Sequence, residues 1–242
     1  MRSKSLSRSI FAHRGASANA PENTLAAFRL AHQAQADGIE LDVHLSADQQ
    51  VVVIHDDEVS RTTNGQGKVS QLTLEELRRL DAGQGETIPT LGEVLDLIGD
   101  QLYINIELKG VSRSASGLAE AAAALVNQRK LNQTIIYSSF DPLLLFKTRR
   151  VAPQAKLGLL IDTGAAGTAT HLIFAPLLRP WSLHPHFSSI TPRFLQRANK
   201  NQQAIITWTV NETEEMRRLF ALGIQGIITD DPEKALEVRK AT

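Results

Sequence analysis

Short apolar runs alternate with helix-like segments along almost the whole chain, and this alternation restricts the fold more than any single motif. Such alternation is typical of βα units built around a parallel sheet. There are eight candidate strands, which end near His13, Asp42, Lys109, Ser139, Ile161, His186, Val210 and Thr229. Eight βα units in 242 residues predict an α/β fold of the TIM (β/α)8 barrel type.

A further apolar run, Val51–Ile54, is interpreted as the returning arm of a β-hairpin and not as a barrel strand. Turn-forming residues at 46–49 separate it from the strand before it. Setting this arm aside leaves the eight strands that a TIM barrel requires. The sequence therefore predicts a single domain over residues 1–242, with the hairpin and a small insertion at about 58–89 after the second strand.

Local signals also predict where several helices begin. Pro21 followed by an acidic residue indicates that the first helix starts at Glu22, and its apolar spacing continues to about Gln35. Thr73 and Thr90 each precede a glutamate by three positions, which is the pattern of a capping box. Two short helices are therefore expected at these threonines.

The composition excludes several classes of function. The formal net charge is zero, so the total charge gives no reason to expect a nucleic-acid partner. The absence of cysteine excludes disulfides, thiolate metal sites and a cysteine nucleophile. Residues 1–15 lack the apolar segment of a signal peptide, and no apolar run approaches the roughly 20 residues of a membrane helix. We expect a cytoplasmic protein without stable membrane insertion; no oligomeric state is predicted.

Two carboxylates interrupt the second apolar strand. Glu40 and Asp42 are two positions apart, so the period of a strand turns both side chains to one face. If the hairpin forms, His55 returns beside Asp42. Glu107 and Lys109 are likewise two apart on the next strand. Since polar groups are costly in apolar strands, these positions are candidates for an active site.

Other strand ends contribute further candidates to the same barrel mouth. In a TIM barrel, catalytic groups lie at the carboxyl ends of the strands. His13 and Arg14 end the first strand, and Trp208 with Asn211 ends a later one. We therefore expect these side chains to converge with the carboxylates.

The residue types point to phosphate-ester hydrolysis. Three carboxylates without cysteine suit one hard divalent cation, Mg²⁺ or Ca²⁺. His13 and His55 are candidates for a general acid and a general base. Arg14 and Lys109 supply positive charge for an anionic substrate.

Each candidate also has a structural interpretation. His13 alone could be an ordinary strand-end histidine, and Trp208 alone is more often part of a core. The carboxylates could anchor buried basic residues, although few lie on strands here. Four histidines are assigned to a helix face, an outward strand face or a loop: His32, His44, His171 and His186. Two rival functions remain, an aldolase-like barrel with a Schiff base on Lys109 and a non-catalytic phosphate-binding barrel.

The ordered set of motifs resembles the glycerophosphodiester phosphodiesterase family. The matching segments span most of the chain: His13-Arg14-Gly15, Pro21-Glu22-Asn23-Thr24, Ile39-Glu40-Leu41-Asp42-Val43, Val53-Ile54-His55-Asp56, Arg61-Thr62-Thr63-Asn64-Gly65, Ile106-Glu107-Leu108-Lys109, Trp208-Thr209-Val210-Asn211 and Ile228-Thr229-Asp230-Asp231-Pro232. The resemblance implies a TIM barrel that hydrolyses glycerophosphodiesters to sn-glycerol 3-phosphate and an alcohol. A related activity of the lysophospholipase D type is the alternative.

The resemblance also implies a role for each site residue. The metal ligands would be Glu40, Asp42 and Glu107. The acid/base pair would be His13 and His55, the phosphate contacts Arg14 and Lys109, and Trp208 would lie near the glycerol moiety. The size resembles the short cytoplasmic bacterial members.

The chain departs from the family pattern in two places. The insertion is compact, since Asp81-Ala82-Gly83 leads almost directly to Ile88-Pro89-Thr90, and this implies a more open pocket. The segment 165–186 matches weakly, although its His184 could reach the barrel mouth.

Overall fold

A closed barrel of parallel strands forms the centre of the protein. The computed structural model describes residues 6–110 and 117–242. Its strands are β1 (Ser9–His13), β2 (Gly38–Leu45), β3 (Val51–Val53), β4 (Tyr103–Leu108), β5 (Ile135–Ser139), β6 (Lys156–Ile161), β7 (Ser182–Pro185), β8 (Ala204–Thr207) and β9 (Gly226–Thr229). All except β3 pair in parallel, and β1 closes the barrel by pairing with both β2 and β9. The predicted TIM barrel is confirmed.

Helices follow the strands and cover the outside of the barrel. They are α1 (Leu25–Gln33), α2 (Leu74–Arg78), α3 (Leu91–Ile98), α4 (Leu118–Gln128), α5 (Pro142–Val151), α6 (Gly164–Leu178), α7 (Pro192–Lys200), α8 (Thr213–Ala221) and α9 (Pro232–Ala241). The main core includes outward-facing strand residues such as Ile39 and Leu41 together with helix residues such as Phe28. A second cluster contains the inward-facing Phe11 and Ile136. The two clusters follow from the period of two along each buried strand.

The predicted hairpin is confirmed. β3 pairs antiparallel with β2, with Val43 opposite Val53, and the amide of Ile54 donates to the carbonyl of Asp42 at 3.0 Å. This pairing brings His55 back to the carboxyl end of β2. The insertion after the hairpin has its own small apolar cluster, in which Val52 and Ile54 pack with residues of the loop and α2.

The capping-box predictions at Thr73 and Thr90 are confirmed, but the predicted start of α1 is wrong. This helix begins at Leu25 with Thr24 as its N-cap, and not at Glu22. Asn23 has φ +59°, so the backbone turns just before the cap. The turn directs the Asn23 amide to Asp42, to which it donates at 2.8 Å. The residues before α1 therefore belong to the barrel mouth.

Among the helices of residues 6–110 and 117–242, none combines the length and apolarity that a membrane span requires. Residues 1–15 were predicted to contain no signal peptide, and the first five of them lie outside the described residues.

Replacing Gly15 with alanine is expected to lower the free energy of unfolding by about 2–5 kcal/mol. Gly15 has φ +84°, and an added Cβ would lie 2.6 Å from Cβ of Ala27 and 2.7 Å from its carbonyl carbon. Gly85→Ala is the matched control, because Gly85 has φ +78° with nothing within 4 Å of an added Cβ. Urea unfolding of both variants measures the difference; equal stabilities would contradict the predicted clash.

Candidate active site

Three buried carboxylates meet at the carboxyl ends of β2 and β4. Glu40 and Asp42 project from the same face of β2, and Glu107 lies opposite Asp42 in the parallel register. The three side chains are buried, and one oxygen of each lies within 4.8 Å of the others. The structure therefore brings together the residues that the sequence suggested as metal ligands.

Two basic side chains contact this cluster. The Lys109 ammonium lies 2.6 Å from Glu107 and 3.0 Å from Asp42. Arg14 places its Nε 3.4 Å from Asp42, and its backbone amide donates to Glu40 at 3.1 Å. Arg14 has φ +54°, which turns the chain at the end of β1 so that the amide points into the site. Two positive charges thus lie beside three carboxylates.

The carboxylates differ in how their surroundings affect them. Burial, together with the nearby Asp42 and Glu107, raises the pKa of Glu40 well above its ordinary value. Burial also raises the pKa of Glu107 to about 7, although Lys109 opposes the shift. Burial alone would raise the pKa of Asp42, but Lys109 and Arg14 hold it below its usual range. A cluster of buried oxygen donors, two of which have raised pKa values despite the two cations, fits a hard divalent cation.

His13 is oriented by a carboxylate from the last barrel strand. Its Nδ1 donates to Asp230 at 2.6 Å, which leaves Nε2 on the side of Glu40 at 4.0 Å. Asp230 also accepts hydrogen bonds from the Asn211 amide at 2.5 Å and the Ser17 hydroxyl at 3.1 Å. Hydrogen bonding with His13 lowers the pKa of Asp230 despite its burial. Asp230 is therefore an anionic acceptor that holds the imidazole ring.

His55 is oriented in the same way by its neighbour in sequence. Its Nδ1 donates to Asp56 at 2.5 Å, and Arg61 donates from Nε to the other oxygen of Asp56 at 2.5 Å. Arg61 also donates to Glu22 at 2.8 and 2.9 Å, and Glu22 accepts from Arg14 at 2.7 Å. Burial lowers the pKa of the His55 imidazole. A chain of ion pairs therefore connects the hairpin to the end of β1.

A narrow cavity of about 110 Å³ lies in the barrel mouth. It is lined by His13, Arg14, Glu40, His55, Asn105, Glu107, Lys109, Phe140, Leu160, Trp208, Thr209 and Ile228. The lining combines charged residues with apolar ones. Trp208 donates from its indole to the carbonyl of His184 at 2.8 Å and packs edge-on against Phe140, with 5.5 Å between the ring centroids. Both predicted histidines, both predicted cations and Trp208 thus border one cavity.

The remaining histidines are placed differently. His184 is fully buried inside the barrel, where its Nε2 and the Ser182 hydroxyl are 2.8 Å apart, and it does not line the cavity. His44 follows Asp42 by two positions on β2 and therefore lies on the same strand face, where its ring bonds the carbonyl of His55 at 3.0 Å; the outward strand face expected for it is wrong. His186, expected in a loop without a function, packs edge-on against Trp208.

Several residues that shape the site were not assigned a role from the sequence. They are Glu22, Asn23, Asp56 and Asp230, which hydrogen-bond site residues, and Arg61 and Ser17, which hydrogen-bond Asp56 and Asp230. Most lie inside the segments that carry the family resemblance, so their position in those segments was the available signal.

Comparison with known proteins agrees with this geometry. The profile of the glycerophosphoryl diester phosphodiesterase family matches residues 13–234. A glycerophosphodiester phosphodiesterase from Caldanaerobacter subterraneus subsp. tengcongensis is 43% identical over 240 residues, which cover 96% of this chain and 98% of that protein.

Two solved structures share the fold over nearly their whole length. One is a phosphodiesterase from Oleispira antarctica in complex with the product sn-glycerol 3-phosphate. It is 30% identical to this chain with a TM-score of 0.86, and the match covers 98% of this chain and 99% of that chain. A putative glycerophosphoryl diester phosphodiesterase from Silicibacter pomeroyi has a TM-score of 0.88 at 26% identity, with 98% and 96% covered. With the family profile spanning residues 13–234, the chain belongs to the glycerophosphoryl diester phosphodiesterase family.

Proposed function

We propose that this protein hydrolyses glycerophosphodiesters to sn-glycerol 3-phosphate and an alcohol. The observation that carries the proposal is the pair of carboxylate-bound histidines, His13 and His55, beside the same cavity as the acidic cluster. The 43% identical relative is named for this activity, and the Oleispira antarctica enzyme holds the product.

A divalent cation would be held by Glu40, Asp42 and Glu107, whose oxygens lie within 4.8 Å of one another. All the donors are carboxylates, which suits either Mg²⁺ or Ca²⁺. When bound, the cation stabilises negative charge on the phosphoryl oxygens.

The histidines move protons in this proposal. In each ring, Nδ1 is bound to a carboxylate, so Nε2 remains available to a substrate. One histidine accepts the proton of the nucleophile, and the other donates a proton to the leaving alcohol. Arg14 and Lys109 attract the phosphoryl group, and Trp208 offers an apolar wall for the carbon atoms next to it.

The lysine chemistry of an aldolase-like barrel is disfavoured. Although burial opposes the shift, Asp42 and Glu107 raise the pKa of Lys109. Lys109 is therefore an ammonium ion at neutral pH, whereas a Schiff base requires a free amine. A binding protein without catalysis would not require two histidines oriented by carboxylates.

Release of sn-glycerol 3-phosphate tests the proposal directly. The wild-type protein is incubated with glycerophosphocholine and glycerophosphoethanolamine, and released sn-glycerol 3-phosphate is measured by an enzyme-linked assay. A lysophospholipid, which would give lysophosphatidic acid instead, is followed by release of its head-group alcohol and tests the lysophospholipase D alternative. We expect turnover that is lost after dialysis against EDTA and restored by Mg²⁺ or Ca²⁺. No release from any of these diesters would contradict the proposed activity, and full activity after dialysis would contradict the cation site.

A further inference from the structure

Asn105 is a neutral polar residue at the floor of the cavity and takes no part in the proton transfers proposed above. It precedes Glu107 by two positions on β4, so both side chains point into the barrel. In the parallel register it lies opposite Glu40. Asn105 is only 1% exposed, yet its side chain lines the cavity.

The Asn105 amide has unused hydrogen-bonding capacity. Its Oδ1 is buried without a hydrogen-bond partner among the described residues. A buried polar atom of this kind destabilises the folded protein unless it gains a partner. Rotation of the amide exchanges donor and acceptor, so the side chain can bond a hydroxyl group in either role.

The rest of the cavity restricts what this partner can be. Its charged residues suit the phosphate, while Leu160, Trp208 and Ile228 provide apolar contacts for carbon atoms. The part of the mouth that Asn105 lines has a volume of about 110 Å³, well below that of a pocket for a drug-sized ligand, whereas the wider cleft of about 510 Å³ that also borders His13 and Arg14 does not include Asn105. A short polyol joined to a phosphate matches this combination of charge, apolar wall and neutral amide.

We propose that Asn105 is a specificity residue that recognises the free hydroxyl groups of the substrate's glycerol moiety. This inference rests on the proposed function and adds a determinant for one part of the substrate. Asn105 distinguishes a polyol phosphate from an alkyl phosphate of equal charge, because only the polyol satisfies the buried amide.

The barrel interior also offers a matched control. The Ser138 hydroxyl is fully buried without a hydrogen-bond partner in the described part of the chain, as is Nδ1 of His184. Neither residue lines the cavity. Ser138→Ala therefore removes an unpartnered polar atom from the same barrel interior without altering the proposed contact.

Calorimetric titration in the presence of Mg²⁺ compares two ligands, sn-glycerol 3-phosphate and n-propyl phosphate. We expect the wild type and Ser138→Ala to bind the glycerol compound at least about tenfold more tightly than the propyl compound. Asn105→Leu, which keeps a side chain of similar shape, is expected to lose this preference by weaker binding of sn-glycerol 3-phosphate alone. Circular dichroism verifies the fold, and Asn105→Ala replaces the leucine variant if that variant does not fold.

The possible failures are distinguishable. If the wild type hydrolyses glycerophosphocholine but Asn105→Leu keeps the preference for the glycerol compound, the inference about Asn105 is wrong and the proposed function stands. Loss of the preference in Ser138→Ala would also overturn the inference, since the effect would then belong to the barrel interior as a whole. If the wild type hydrolyses no glycerophosphodiester, the proposed function itself fails.

Discussion

Alanine at His13 or His55 is expected to lower kcat for glycerophosphocholine hydrolysis by about 10²–10⁴-fold, with a smaller change in KM. Each ring is held by a carboxylate through Nδ1, so alanine removes a proton-transfer group that is already oriented. The phosphate contacts proposed for Arg14 and Lys109 remain, and we therefore expect substrate binding to be largely retained. Steady-state kinetics of both variants measure the effect.

His32→Ala is the control for these two variants. His32 is exposed on α1, away from the residues that line the cavity, so its loss is expected to leave kcat unchanged. Circular dichroism and thermal unfolding show whether each variant is folded. If folded His13→Ala or His55→Ala retained wild-type kcat, the corresponding histidine would have no role in proton transfer.

The sequence predicted the carboxylate cluster because its geometry follows from regular structure. The period of two along a strand places Glu40 and Asp42 on one face, and the parallel register then puts Glu107 beside Asp42. The hairpin interpretation similarly returned His55 to this end of the barrel. Where backbone periodicity alone positions a side chain, the sequence was sufficient.

The hydrogen bonds that orient the histidines could not be predicted in this way. Asp230 lies 217 residues after His13, and the sequence alone does not distinguish it from the adjacent Asp231 as the hydrogen-bond partner of that histidine. The structure separates the two roles, because Asp231 caps α9 by accepting from the amide of Lys234 at 3.0 Å. Such a choice depends on the direction of two adjacent side chains at a helix start, and no sequence period determines it.

The start of α1 was wrong for a related reason. The sequence rule for helix starts considers only local bonding, whereas Asn23 donates to Asp42 on a strand. Glu22 likewise forms ion pairs with Arg14 at the end of β1 and with Arg61 in the insertion. Tertiary contacts at the mouth therefore override the local preference for a longer helix.

The acidic cluster itself is expected to reduce the stability of the cation-free protein. Glu40 is buried beside Asp42 and Glu107, and its pKa is raised in the folded state. A carboxyl group with a raised pKa contributes stability at low pH, and this contribution is lost as the pH rises above the pKa of an unfolded glutamate. At neutral pH, the repulsion that Lys109 and Arg14 leave is relieved by a proton, by a bound cation or by the removal of one carboxylate.

Glu40→Gln is expected to raise the Tm of the EDTA-treated protein while lowering kcat/KM by at least about 10²-fold, because a proposed ligand of the cation is lost. The gain in Tm is about 2–4 °C for each kcal/mol of repulsion removed and should grow as the pH increases from 5 to 8.

Mg²⁺ should stabilise the wild type by binding the folded state, and should stabilise the variant much less. Calorimetric scans with EDTA or Mg²⁺ across this pH range measure both effects. Glu237→Gln, at an exposed position in the interior of α9, removes a carboxylate of the same chemistry and should change neither quantity. A lower Tm for folded Glu40→Gln in EDTA would show that Lys109 and Arg14 already compensate the three carboxylates without a cation.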